Sequence, residues 1–243
     1  MKIILASGSP RRKELLEQAG YRFIIEVSDA DENIQAEFPG TLVEELSHRK
    51  AGAVAAHYLR PAQNCQPAGA PAGGTAKTFA SENVPSADGE AAMENVSLAV
   101  GGMASNDVVT LIGADTVVVL DGKVLGKPDG EEGAVRMLRA LSGRSHQVYT
   151  GVSLLLIRDG ALTAEEKFHV CTDVTMREMT EEEIRRYVAT GEPMDKAGAY
   201  GIQGKAAVFI SGICGDYYNV VGLPICELTT RLRRLWKENG IDE

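Results

Sequence analysis

Long apolar runs are missing from this chain. No stretch approaches the roughly 20 residues that a helix needs to span a bilayer. The apolar segment after Met1-Lys2 ends within a few residues at Ser7-Gly8-Ser9, too short for a signal-peptide core. The four cysteines (Cys65, Cys171, Cys214 and Cys226) form no C-x-x-C pair, which excludes a zinc ribbon and gives no disulfide framework. The four histidines are scattered and show no metalloprotease spacing. Neither a G-x-x-x-x-G-K-[ST] loop nor a glycine-rich kinase loop is present, which argues against P-loop and kinase-type phosphotransfer. Positive charge is in deficit: 25 Lys and Arg against 34 Asp and Glu give a net charge of −9, which argues against a general nucleic-acid binder. The expectation by elimination is a cytoplasmic protein that engages neither membrane nor nucleic acid.

What is present is ordinary in bulk and specific in detail. With 243 residues, 44% hydrophobic and 24% charged, the chain can bury a core as one large domain or two small ones. Residues 10–20 carry Leu15, Leu16 and Ala19 at helical spacing, and Gly20 is placed to end that helix. Tyr21 to Val27 reads as a strand. Residues 41–59 read as a second helix, with Leu42, Leu46 and Ala53 on one face. From about 61 to 108 alanine, glycine and proline dominate and periodicity vanishes, so this segment reads as a long flexible insertion into a single domain. Val108–Leu120, Gln147–Ile157 and Phe168–Met176 then read as strands. Helices are expected at Gly130–Leu141, from Thr180 with a capping box to Glu183, and at Leu228–Asn239. Alternating elements define an α/β class with a mixed twisted sheet flanked by helices.

The chain opens on a strand, Lys2-Ile-Ile-Leu-Ala6, that runs into Ser7-Gly-Ser9-Pro-Arg11-Arg12. Gly8 allows a tight turn, Ser9 suits a helix N-cap and Pro10 suits the first helical position. A helix N-terminus attracts anions, and two arginines add guanidinium forks that match phosphate oxygens, although a solvated surface helix has the same pattern. Asp115 lies in Ile-Gly-Ala-Asp-Thr-Val-Val, where a charge needs a partner. It serves there as a metal ligand, as a general base, or as a buried aspartate capping a turn, and Gly113 would let a substrate approach. Hard oxygen donors such as Asp115 and Glu32 suit Mg2+ or Mn2+. Lys50 and Lys127 alone read as surface charges. Three glycines in Asp195-Lys196-Ala-Gly-Ala-Tyr-Gly-Ile-Gln203-Gly call for unusual backbone geometry or close ligand approach, and Gln203 could read a base edge. Asn219-Val-Val-Gly-Leu-Pro224 reads as a structural turn.

These motifs, in this order, resemble the Maf family of nucleoside triphosphate pyrophosphatases over residues 1–60 and 109–235. The resemblance implies metal-assisted hydrolysis of a nucleoside triphosphate to the monophosphate and pyrophosphate, with a Maf-like fold and a homodimeric state. Asp115 matches the proton acceptor of that family. Arg11, Thr116 and Gln203 match the positions that set base preference and are similar to the branch acting on dTTP and UTP. Glu32 and Asp115 would hold the divalent ion. Ser7, Ser9, Arg11, Arg12, Lys50, Lys127, Asp195 and Lys196 would bind the nucleotide. The alternative is a non-catalytic nucleotide-sensing regulator of cell division, which would use the anion corner without needing Asp115 and Glu32 together.

Overall fold

The computed structural model describes residues 1–30, 34, 36, 38–60 and 107–242. Glu32 and residues 61–106 of the expected insertion therefore lie outside the described residues, while Val108 at its expected end opens a strand. Within them, the apolar opening forms β1 (Lys2–Leu5), followed by α1 (Pro10–Gln18), the short strand β2 (Ile24–Ile25) and α2 (Pro39–Ala55). The chain continues through β3 (Val108–Leu120), β4 (Lys123–Leu125), α3 (Gly130–Leu141), β5 (Ser145–Arg158) and β6 (Ala161–Met176). It ends with α4 (Glu181–Val188), three short 3-10 turns, β7 (Ile210–Cys214), α5 (Tyr217–Val221) and α6 (Ile225–Glu238).

All seven strands join one mixed sheet in the order β2-β1-β3-β5-β6-β7, with β4 paired to β3. The β1 ladders to β2 and β3 are parallel, and the remaining ladders are antiparallel. This is the mixed α/β sheet that the pattern implied. Several expectations shift in detail. The strand expected over residues 21–27 shrinks to two residues, and α2 begins and ends earlier than 41–59. β4, β7 and α5 are too short to leave a periodic signal.

The sheet buries its two faces differently. One face carries Ile112, Ala114, Val118, Val148, Val152 and Leu154 against Leu15 and Leu16 of α1, Leu138 of α3, Ile184 of α4, and Leu228 and Trp236 of α6. The other face receives α2, through Val43, Leu46, Ser47, Ala51 and Val54. Ala53, expected on the buried side, is exposed.

Two glycines explain how α2 lies so low on that face. A Cβ on Gly113 would run into the Ser47 carbonyl oxygen and sit 2.9 Å from Ala51 Cβ. A Cβ on Gly151 would run into the Val43 backbone and sit 2.6 Å from Glu44 N. Gly113 thus serves helix–sheet contact, which corrects its expected role beside substrate. Buried hydroxyls complete the seat: Ser47 Oγ donates to Glu44 O at 2.8 Å and lies 2.8 Å from Ser153 Oγ. Ser153 is the register partner of Gly113. Because strand side chains alternate, Asp115 shares the face of Gly113 and points toward the same helix.

Overpacking a close backbone contact costs about 1–3 kcal/mol. Gly113→Ala is expected to lower stability by about that amount in urea unfolding and to depress any activity that needs Lys50 beside Asp115. An unchanged unfolding midpoint would show that the seat has slack.

Candidate active site

The principal cleft, of about 870 Å³, opens beside β3. The β1 ladder ends at Leu5–Ile112, and the β4 ladder begins at Val118–Leu125. Between those ladders one edge of β3 is released from pairing with either strand, and Asp115 and Thr116 lie in that interval. The cleft consequently reaches residues from both faces of the sheet. It also sits beyond the carboxyl end of β1, where parallel α/β sheets commonly hold their ligands.

The turn after β1 brings the first turn of α1 into the cleft wall through Ser9, Pro10, Arg11 and Arg12. Ser9 occupies the N-cap position with extended backbone, but its side chain makes no capping bond, contrary to its expected role. Ser7 is buried behind the wall and accepts from Ser9 N and from Arg12 Nη1 at 3.3 and 3.0 Å. Arg12 is the pin of this corner. Its Nε donates to Gly222 O at 2.9 Å and its Nη2 to Thr116 Oγ1 at 3.0 Å. Three of its donors therefore hold α1, β3 and the turn after α5 together, so its first task is within the protein. Arg11 lines the cleft and makes no hydrogen bond among the described residues.

The hydroxyl chain behind Arg12 has a fixed direction. Thr150 Oγ1 donates to Asn219 O at 2.9 Å, so the proton in its 3.0 Å contact with Thr116 comes from Thr116. Thr116 thus donates to Thr150 while accepting from Arg12. Asn219 is fully buried and donates to Val148 O and Thr172 Oγ1, both at 2.9 Å, in agreement with its structural reading. Gly222 still contributes its carbonyl to the site corner.

Across the cleft, Lys50 Nζ lies 2.6 Å from Asp115 Oδ1, and both side chains are about one-sixth exposed, at 16% and 15%. The expected surface lysine is therefore the partner that the strand-borne carboxylate required. A third wall comes from the 192–204 segment, with Glu192, Asp195, Lys196, Tyr200 and Gln203, and Lys127 joins from the turn after β4. Lys196 Nζ donates to Asp195 Oδ1 at 2.7 Å and to Glu192 O at 2.8 Å. This hydrogen bond, with Arg11 also nearby, holds the Asp195 carboxyl below its ordinary range. Lys127 and Gln203 are exposed and make no hydrogen bond among the described residues.

The glycines of this segment serve protein packing. Gly198 has φ +68 and lies on Val118, while Gly201 lies on the Lys196 stem and Gly204 on the Glu192 carboxylate. Glu192 was not singled out in the sequence, although it opens the same segment directly after Gly191. Tyr187, which acts one contact further from the cleft, left no signal that distinguishes it from core residues, whereas Thr150 lies in Tyr149-Thr-Gly, one of the segments that carry the family resemblance.

Eleven of the residues expected to act on nucleotide thus meet at one corner, with Ser7 just behind the lining. Glu32, the twelfth, lies outside the described residues. Among the described residues no group of three or more His, Cys, Asp or Glu side chains could hold a metal ion, and no helix is long and apolar enough to cross a membrane.

A cation-lined cleft at a helix N-terminus, with a paired carboxylate on the adjacent strand edge, defines an α/β protein built to hold a phosphorylated small molecule. The chain belongs to the Maf-like protein family, whose family model matches residues 2–235. It is 44% identical over 241 residues to a dTTP/UTP pyrophosphatase of Agathobacter rectalis, covering 99% of this chain and 98% of the relative. Relatives of the same name from Bacillus thuringiensis and Alkaliphilus metalliredigens are each 42% identical. They cover 96% and 93% of this chain, and 95% and 92% of their own lengths.

Beneath the cleft, Tyr200 places its hydroxyl 2.7 Å from Nε2 of the fully buried His146. Burial pushes His146 down to about 4 from its ordinary 6.5, against a smaller upward pull from Asp173. The unfolded chain therefore binds a proton that the folded chain refuses between those values, so this contribution is full above pH 6.5 and is lost as pH falls toward 4. The loss amounts to about 3 kcal/mol. Urea unfolding at pH 7 and pH 4.5 should show a smaller acid loss in His146→Gln than in the wild type. Equal losses would assign the acid sensitivity elsewhere.

Proposed function

We propose that this protein hydrolyses dTTP and UTP to the nucleoside monophosphate and pyrophosphate, with Asp115 as general base. The observation that carries this reading is the Asp115–Lys50 pair, set on the open edge of β3 inside a cleft walled by Arg11, Lys127 and Lys196. The names of the relatives supply the reaction. A homodimeric, cytoplasmic enzyme with its catalytic unit interrupted at about 61–108 is the form that accompanies it.

In this mechanism Lys50, 2.6 Å from Oδ1, orients the Asp115 carboxylate. Asp115 takes the proton of a water whose oxygen bonds to the α-phosphorus, and the bond from that phosphorus to the bridging oxygen breaks. Pyrophosphate departs with the bond's electron pair. Arg11, Lys127 and Lys196 offset its developing charge, because cations fixed in advance need not reorganise during the reaction. Ser9 and the first turn of α1 orient phosphate oxygens, and Arg12 and Ser7 keep that turn in place. Asp195 holds the Lys196 ammonium toward the same region.

A divalent ion such as Mg2+ or Mn2+ fits the donor chemistry. Asp115 has a second carboxylate oxygen that makes no hydrogen bond among the described residues, and such ions commonly take one or two carboxylates together with substrate phosphates. Asp115 would hold the ion, with Glu32 as its second proposed ligand. When bound, the ion would neutralise phosphate charge and act as a Lewis acid.

Gln203 is proposed to read the base. A carboxamide complements the carbonyl and ring N–H of thymine or uracil. Arg11 and Thr116 shape the remaining wall.

The direct test is pyrophosphate release from a panel of nucleoside triphosphates with magnesium, manganese or chelator, run in 18O-labelled water. Metal-dependent turnover of dTTP and UTP, with label in the monophosphate, is the expected result. Binding without turnover in every metal would favour the nucleotide-sensing alternative. Separately, Asp115→Asn should fold normally and lose turnover by at least a thousandfold. A near wild-type rate in that variant removes Asp115 from the chemistry.

A further inference from the structure

The segment that carries Gln203 is held by a carboxylate with no part in the mechanism above. Glu192 Oε1 accepts from Tyr187 OH at 3.0 Å, and Oε2 accepts from Lys205 N at 2.9 Å. The backbone of Gly204 lies against the same carboxylate so closely that a Cβ there would run into it. Tyr187 belongs to α4 and is itself buried, packed edge-on against Phe209 at 5.6 Å between ring centroids. Its hydroxyl also accepts from Gly201 N at 3.4 Å. The Glu192 backbone is tied as well, its N–H to Thr190 Oγ1 at 3.3 Å and its carbonyl to Lys196 Nζ at 2.8 Å. Glu192 and Tyr187 together therefore tie the end of α4 to both ends of the arc 201–205, Tyr187 holding Gly201 and Glu192 holding Lys205, and Gln203 is the exposed middle of that arc.

This arrangement bears on the substrate. A freely turning carboxamide complements cytosine as well as uracil, because flipping it exchanges donor and acceptor. Discrimination between the two bases therefore depends on the place from which Gln203 meets the base and on the wall that faces its carboxamide, and both move with the arc that carries it. A carboxylate suits the task, since it accepts at both oxygens. A carboxamide at the same position has one accepting atom, so it would set its NH2 against Lys205 N–H or take from the Tyr187 hydroxyl proton its acceptor.

We propose that Glu192 and Tyr187 form a latch that fixes the arc 201–205, making them positioning residues for pyrimidine discrimination through Gln203. The proposal rests on the reading of the site as one for dTTP and UTP.

Three measurements on the full chain test it, with Tyr187→Phe and Glu192→Gln as independent variants. Amide hydrogen exchange at Gly201 and Lys205 reads the latch without turnover. Exchange there should quicken at least tenfold in both variants, while Ile184 and Val188 within α4 keep their protection. Steady-state kinetics should show KM for dTTP and UTP rising about tenfold, with kcat falling less, and the preference for UTP over CTP shrinking about tenfold. Equilibrium binding of α,β-imido dTTP and of the corresponding cytidine analogue should show the same narrowing.

Unchanged exchange, or faster exchange with an unaltered pyrimidine preference, overturns the latch. A wild-type protein that binds the dTTP analogue but turns over no nucleotide overturns the hydrolase reading instead. In that case exchange and analogue binding still decide the latch.

Discussion

The close seating of α2 on the sheet is the constraint on which the rest of the site depends. Gly113 and Gly151 remove the two side chains that would hold the helix away, and the Ser47–Ser153 hydroxyl pair satisfies polar groups trapped in the contact. Only at that separation does Lys50, one residue before Ala51, reach a carboxylate in the middle of a strand. The cost of placing Asp115 on a strand between buried neighbours, beside Val117 on the face that α2 covers, is thereby met by a cation from a different element. The sheet face and the helix are fitted to each other, and the Asp115–Lys50 pair is the outcome of that fit.

A second dependence runs through Arg12. Its guanidinium joins α1, β3 and the Gly222 carbonyl, and Thr116, Thr150 and Asn219 continue the network into the core through hydroxyls of fixed polarity. Breaking one member would leave buried donors or acceptors without partners, which costs more than the mean value of a hydrogen bond. The first turn of α1 can then present Arg11 and Ser9 to a ligand, because Arg12 keeps the turn from moving.

Much of this was legible in the chain because chemistry-bearing residues are short-range signals. Ser7 to Arg12, Gly113 to Thr116 and Asp195 to Gly204 each concentrate polar residues and glycines where periodic elements begin or end. The alternation of Val170, Thr172 and Val174 and the capping box at Thr180 likewise announce their elements locally. What the chain concealed is pairwise and long-range. Lys50 is 65 positions from Asp115, and Thr150 is 69 from Asn219. A glycine that admits a helix looks the same in sequence as one that admits a ligand, which is why Gly113, Gly201 and Gly204 were open to the wrong reading. β4 escapes notice because three residues cannot display a period.

The release of β3 between its two neighbours has a consequence for how such a protein diversifies. Asp115 is built into a 13-residue strand paired along its opposite edge to β5, whereas Gln203 hangs on an arc tied at its ends. In the proposed mechanism, substitutions in the arc would alter which nucleotide is accepted while leaving the strand that carries Asp115 untouched. Selectivity and reactivity would then be separate mechanical modules, free to drift at different rates within one small enzyme.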